Sequence, residues 1–446
     1  MDKPPSTSSN SMRPNVDEKF HGLIPLLEES QDHIWKFSCP ETIERKELAH
    51  IVDKIYCKHR HVWAIFVYLE SFKNEKHWVD FLLKNCGKVN VEQCTPLKYA
   101  RTGTVGYYLR QQGEEGERCS LTIEQLFNQN LSLELDTPNV FKRDNFTKLL
   151  KLSKNNSFYY GENNALVDLK NLDAASKREL FWLNDVKTDL DILIPSQSES
   201  KILGVTTAMV NIASIGCASS EHLEDVFLYS MNYHFGGADR YWLFKHAFSF
   251  FKYNHIIIDA IAGCKHSVLH KDYLGDTEFH EAQGEPFEQA VQRPGEIVFT
   301  FSASVHAVMN TGNAVTSEKN WYGKLWKLVA RGVKRCTCAK HESFKIIYDE
   351  LYRGEADMKM KLNIPEDDFM SQISNFIAAN QMPDLYQDVG SDISILENEN
   401  LLGQIVESSS SNNAGSSSNQ ASSYQQSDLI DNVFALFGQD SVAQPV

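Results

Sequence analysis

Residues 219–242 read SSEHLEDVFLYSMNYHFGGADRYW, and their reading decides the fold. The stretch holds an H-x-E triplet, His222 to Glu224, and runs on into residues 226–235, rich in Val, Phe, Tyr and Leu. That composition predicts a strand. On extended backbone, side chains repeat with period two, so His222 and Glu224 point to the same side. An imidazole and a carboxylate placed this way can both ligate one divalent metal. His306, in FSASVHAVMN, is the candidate third ligand. Two histidines and one carboxylate with open positions form the donor set of non-haem Fe(II) oxygenases. A lone H-x-[DE] pair is a weak signal, and His270-Lys271-Asp272 offers a rival. The neighbourhood favours the first. Asn232, Arg240 and Trp242 follow it, then a Pro-Gly turn at 293–296 and an apolar strand at 297–301 leading to His306.

The composition around this stretch sets outer bounds. The chain has 446 residues, 42% of them hydrophobic, enough for one large domain with extensions or for two. A formal net charge of −15 argues against wrapping nucleic acid unaided, since phosphate binding needs clustered cations, and it suits a basic partner. No stretch approaches the roughly 18 apolar residues of a membrane span. With no apolar run near the start, no secretory signal is expected. Nine cysteines, an odd number, then read as free thiols and metal ligands. A soluble, intracellular chain with no membrane contact is expected.

Taken in order, residues 1–11 are Pro/Ser-rich and predict disorder. Phe20, Leu23, Ile24 and Leu27 fall at helical spacing, with Pro25 against it. VWAIFVYLESF, from Val62, fits a buried strand or helix, and KHWVDFLLKNC predicts a helix. TIEQLFNQN is expected to be capped by Ser120 or Thr122. Helical periodicity returns over 174–193 and a strand is expected over 203–215. Further strands are predicted at 254–261, 287–291, 297–301 and 307–315. Many short β-rich runs argue for a closed or two-sheet β architecture. SEKNWYGKLWKLVARGVKRC predicts a helix capped by Ser317, and SFKIIYDELY a second. Residues 406–426 are Ser/Asn/Gln low complexity. Within the tail, 428–437 form an apolar island with helical spacing that fits a partner-docking helix or merely a sticky terminus.

HLEDVFLYSMNYHFGGADRYW resembles the metal-binding strand of JmjC-domain Fe(II)/2-oxoglutarate oxygenases, and AVQRPGEIVFTFSASVHAVMNTGN resembles their second metal strand. RCTCAKHESFKI is similar to the segment behind the barrel in the JmjN/JmjC histone lysine demethylases that carry zinc. The resemblance covers most of residues 12–351 and is poor over 52–117. It implies a mainly β fold: a double-stranded β-helix (a cupin-like jelly roll) with flanking helices. The organisation it implies is a JmjN-like segment at 12–52, a variable insert at 53–117, a mixed α/β part at 118–206 and the JmjC core at 207–322. Helices with a zinc site follow at 323–395, then a low-complexity tail at 396–446.

The resemblance also implies roles. His222, Glu224 and His306 would hold Fe(II), and Lys271 matches a catalytic-site lysine. Tyr160, Asn232 and Arg240 fall where the family binds 2-oxoglutarate. Arg240 stands in place of a lysine, an exchange that keeps the charge but not the shape. Gly204, Asn211, Glu318 and Asn320 fall on the substrate wall. There the family's tyrosine positions hold Met209 and Asn211, and a serine position holds Glu318. Cys264, His270, Cys336 and Cys338 form a closed Cys3His set for structural zinc, which removes His270 from the rival triad; Cys217 is assigned to the core. The function implied is nuclear demethylation of N-methyl-lysine in a histone tail or another methyl-lysine protein. The alternatives are a chromatin-binding scaffold with weak or lost turnover, and an oxygenase hydroxylating another protein side chain.

Overall fold

The computed structural model describes residues 13–326 except for internal stretches, the longest being 247–272. The larger sheet runs, in spatial order, through β1 (Ile24–Pro25), β2 (Ile34–Cys39), β3 (Ala64–Leu69), β15 (Glu296–Thr300) and β11 (Tyr229–Gly237). It continues through β17 (Ala314–Trp321), β9 (Met209–Ala213), β8 (Phe158–Gly161), β4 (Lys88–Cys94) and β7 (Arg118–Thr122). The smaller sheet is β10 (Ala218–His222), β16 (Ser304–Asn310), β12 (Arg240–His246) and β14 (Phe287–Gln292). A third joins β13 (Tyr273–Gly275), β6 (Val105–Leu109) and β5 (Lys98–Thr102).

The two main sheets share one apolar interior. Ile34, Phe66 and Val298 from the larger pack with Trp242, Phe244 and Val308 from the smaller. Alternation then gives each strand of the smaller sheet a second face. On β12, Trp242 and Phe244 turn inward, whereas Tyr241 and Leu243 meet Phe146, Leu149 and Leu150 of helix α4 (Arg143–Asn155) outside. This is the two-sheet β architecture that the strand punctuation predicts, and the mainly β jelly roll with flanking helices that the resemblance implies. The other helices are α1 (Leu48–Lys58), α2 (Trp78–Asn85), α3 (Ile123–Phe127), α5 (Ala174–Leu180), α6 (Leu190–Leu193) and α7 (Thr277–Gln283). Thr122 caps α3: its Oγ1 accepts from the Gln125 N–H at 3.0 Å while Gln125 Oε1 accepts from its own N–H at 2.9 Å. Among the described residues no helix is long and apolar enough to cross a membrane.

Several local expectations are corrected. The helix at 20–27 is instead a turn, the short strand β1 and a 3-10 turn at Leu27–Glu29. Gly22 sits at φ +98°, and Ile24, half exposed, does not join Phe20 and Leu23 in the core. The helical run over 174–193 breaks into α5, a 3-10 turn at Trp182–Asn184 and α6. The strand predicted at 226–235 starts only at Tyr229, because Val226 and Phe227 take positive φ in a tight turn. Residues 307–315 are the end of one strand, a turn and the start of the next. Ser317 caps no helix, since it lies inside β17 between β11 and β9.

Candidate metal centre

His222 closes β10 and faces His306 of β16 directly in the antiparallel register. Opposed residues of such a pair share a face, so the two imidazoles stand side by side, ring centroids 4.4 Å apart. The backbone stays extended through Glu224 (φ −66°, ψ 157°), which returns its carboxylate to that face. Glu224 Oε1 lies 3.6 Å from His222 Nε2 and 3.3 Å from His306 Nε2. The three donor atoms lie within 4.8 Å of one another.

The hydrogen bonds fix what these nitrogens offer. His222 Nδ1 sits 2.7 Å from the Ser220 carbonyl, and His306 Nδ1 sits 3.1 Å from that of Ser304. A carbonyl only accepts, so both rings carry the proton on Nδ1 and turn the Nε2 lone pair inward. Two lone pairs and a carboxylate then converge, an arrangement that repels itself unless a cation sits among them. The donor set, two neutral imidazoles with backbone-anchored Nδ1 and one carboxylate, fits a divalent first-row metal with open positions.

The same cavity holds Arg240, at the start of β12 and 6% exposed. Its Nε donates to Asn310 Oδ1 at 2.9 Å, and one terminal nitrogen donates to Asn232 Oδ1 at 2.6 Å and Gln292 Oε1 at 3.1 Å. The guanidinium also lies 5.5 Å from the centre of the Trp242 ring. Gln292 is fully buried and uses its whole amide. Its oxygen also accepts from Trp242 Nε1, and its nitrogen donates to the Asn232 and Glu296 carbonyls. Nearby His234 is fully buried, and burial first, then the charge of Arg240, pushes its imidazole down to about 3. It stays neutral.

The opposite wall is β17 with β9 beside it. Gly204, Glu318 and Asn320 line the cavity, and Asn232 donates to Glu318 Oε2 at 3.3 Å. Gly204 adopts φ +77°, its carbonyl accepts the Asn320 N–H at 2.7 Å, and Asn320 donates to the Tyr229 carbonyl at 3.2 Å. Asn211 is buried opposite Thr316, a cavity residue. The Tyr160 backbone pairs with Ala213, another cavity residue; its side chain lies outside the described residues. So do Lys271, Cys264, His270, Cys336, Cys338, the strand at 254–261, the helices past residue 326 and the island at 428–437. Gln292 and Asn310, which hold Arg240, carried no sequence signal: an amide that only orients another residue has no motif.

Residues 209–321 match the family described as JmjC domain, hydroxylase, and this stretch is a JmjC domain. Lysine-specific demethylase JMJ706 of Oryza sativa subsp. japonica is 33% identical over 128 residues, 26% of this chain and 15% of that protein. Lysine-specific demethylase 4B of Mus musculus is 27% identical over 181 residues, 38% of this chain and 16% of that protein. The matches therefore span about a sixth of the length of each curated relative.

Proposed function

We propose that this JmjC-domain chain is an Fe(II)- and 2-oxoglutarate-dependent oxygenase that demethylates N-methyl-lysine in a protein substrate, a histone tail first among the candidates. The observation that carries the reading is the convergence of His222, Glu224 and His306 in one cavity with Arg240. When bound, the metal supplies the oxidising chemistry, 2-oxoglutarate and O2 going to succinate and CO2 as one methyl group leaves as formaldehyde. The protein's part is binding and order. The carbonyls of Ser220 and Ser304 hold the two imidazoles in the metal-binding tautomer. Arg240, oriented by three side-chain amides, is placed to grip the far carboxylate of the 2-oxo acid. Trp242 and Val308 wall the site with apolar surface.

Nuclear action and structural zinc at Cys264, His270, Cys336 and Cys338 belong to the same reading, and the resemblance supports them. The test is calorimetric titration of 2-oxoglutarate into the full chain loaded with Mn(II). Wild type should bind. Arg240→Ala should lose roughly 2–5 kcal/mol, about thirtyfold to several thousandfold in affinity, with an unchanged circular dichroism spectrum. Wild type that binds no 2-oxoglutarate would refute the oxygenase reading and leave a binding scaffold.

A further inference from the structure

We infer that Glu221 is a positioning residue for the metal centre: gripped from outside the smaller sheet, it fixes a bulge in β10 that turns His222 inward. The inference rests on the metal-centre reading and adds to it what keeps one ligand in place.

β10 lies at one end of the smaller sheet, and His222 is its last residue. Its antiparallel register to β16 sets Ser219 opposite Val308 and His222 opposite His306, with a shift between the two pairs. Two residues of β10, Ser220 and Glu221, therefore stand against Ala307 alone. That is a β-bulge, in which one extra residue disrupts the ladder and re-aims the side chains around it. On a regular strand, residues three apart point to opposite faces. Here Ser219 and His222 both line the cavity, as Val308 and His306 do. Without the extra residue, His222 would turn outward whenever Ser219 turned in. The bulge also contains the Ser220 carbonyl, 2.7 Å from His222 Nδ1. It thus sets both the direction of the ring and its tautomer.

A disrupted ladder at a sheet edge needs holding from elsewhere, the more so because the converging donors repel one another without a cation. Glu221 supplies the hold. Lys245 alternates with the inward-facing Phe244 of β12, so it stands on the outer face. It pairs there with the Glu221 carboxylate, reaching across the intervening strand β16. His280 of α7 and the N–H of Gly275, at the end of β13, meet the same carboxylate. Glu221 is fully buried among them. Charge-assisted contacts of this kind are short and directional. Groups from three other elements therefore fix a side chain that is next in sequence to a metal ligand and inside the bulge that aims it.

The experiment is calorimetric titration of Mn(II) into the full chain, counting only the binding that His222→Ala removes. Mn(II) is the probe because thiolate sites hold it poorly. Glu221→Gln should weaken that binding on the order of tenfold, the usual effect of losing a group that orients a metal ligand. His280→Asn leaves the Lys245 pair intact, should weaken binding in the same direction, and replaces Glu221→Gln if that chain does not fold. Leu149→Ala is the control. It opens a cavity in the outer core against the same strand β12, so it should lower the unfolding free energy in urea and leave Mn(II) affinity unchanged. Wild-type affinity in folded Glu221→Gln, or in His280→Asn where the first does not fold, would overturn the inference. So would an equal loss of affinity in Leu149→Ala, because stability alone would then set the site. Wild type that binds no Mn(II) would refute the metal centre itself, and the inference with it, before any variant is compared.

Discussion

Strand β12 carries two cations at nearly equal burial, Arg240 at 6% exposed and Lys245 at 5%, and the protein treats them in opposite ways. Lys245, with Tyr241 and Leu243, belongs to the outer face. It pairs with the Glu221 carboxylate, which is fully buried and also lies 3.1 Å from His280 Nε2 of α7. The Gly275 N–H donates to the same carboxylate at 2.8 Å. Gly275 has no alternative, because a Cβ there would come within 2.7 Å of the His280 ring. Burial alone would push the Glu221 carboxyl up, but Lys245 and His280 outweigh it and hold it well below the usual carboxylate range. On the inner face, three amide oxygens orient Arg240 without neutralising it. On β10, likewise, Glu221 faces cations outside while His222 faces a carboxylate and another imidazole inside. Burial does not separate the two regions. The partner does: on the outer face opposite charges meet between β10, β12 and α7, and on the inner face neutral amides hold Arg240 at the cavity.

Glu221→Gln should break the outer region most severely, because it strands Lys245 beside His280 in the core. Breaking a buried ion pair costs about 3–5 kcal/mol, to be read as lost unfolding free energy in urea. A loss below about 1 kcal/mol would mean that the three groups are not tightly coupled. On the inner face Gln292→Ala should act on ligand affinity. Removing an amide that accepts from Arg240 and Trp242 leaves buried donors unmet, at about 1–3 kcal/mol. Affinity for 2-oxoglutarate in the Mn(II)-loaded chain should fall about fivefold to 150-fold. Unchanged affinity would show that Asn232 and Asn310 suffice to aim Arg240.

What could be read in the sequence depended on whether a residue's role was written in its own neighbourhood. The His222/Glu224 pair was legible because two ligands two residues apart on extended backbone obey its period. His306 was legible because a single apolar strand leads, through a short turn, into the strand that carries it. β17 was not. Thr316, Ser317, Glu318, Lys319 and Asn320 look like an exposed helix start, yet they form a central strand whose alternate polar residues line a cavity. Polar lining inverts the inside-out rule on which strand reading depends. The Glu221 network escaped for another reason: its partners come from a different strand and from α7, and neither position signals the pairing. The helical pattern at 20–27 failed because pairing to β2 and the turn at Gly22 overrode a weak local preference.

A third buried charge sharpens the comparison, with the smallest expected effect. Glu288 of β14 accepts the His33 N–H through both carboxylate oxygens, at 3.1 Å each. Burial first, then the charge of Asp32, pushes its carboxyl up to about 7, although the backbone amides of His33 and Ile34 pull it down. Amides alone therefore do not do for this carboxylate what Lys245 and His280 do for Glu221. The sign follows from proton counting. Between about pH 4.5 and pH 7 the folded state keeps a proton that the unfolded chain has released, so this group's stability is full below pH 4.5 and is lost as pH rises to about 7. Partial exposure discounts the size to about 1–2 kcal/mol over the window. His33, stacked on Trp63 at 4.1 Å, acts the other way: burial lowers its pKa, so its contribution is lost as the medium becomes acidic. The measurement must therefore be a difference. Urea unfolding of wild type and Glu288→Gln at pH 4.5 and pH 8 should show wild type losing about 1–2 kcal/mol relative to the variant on going to pH 8. A difference that stays flat would mean that Glu288 titrates as an ordinary carboxylate and that the backbone amides offset its burial.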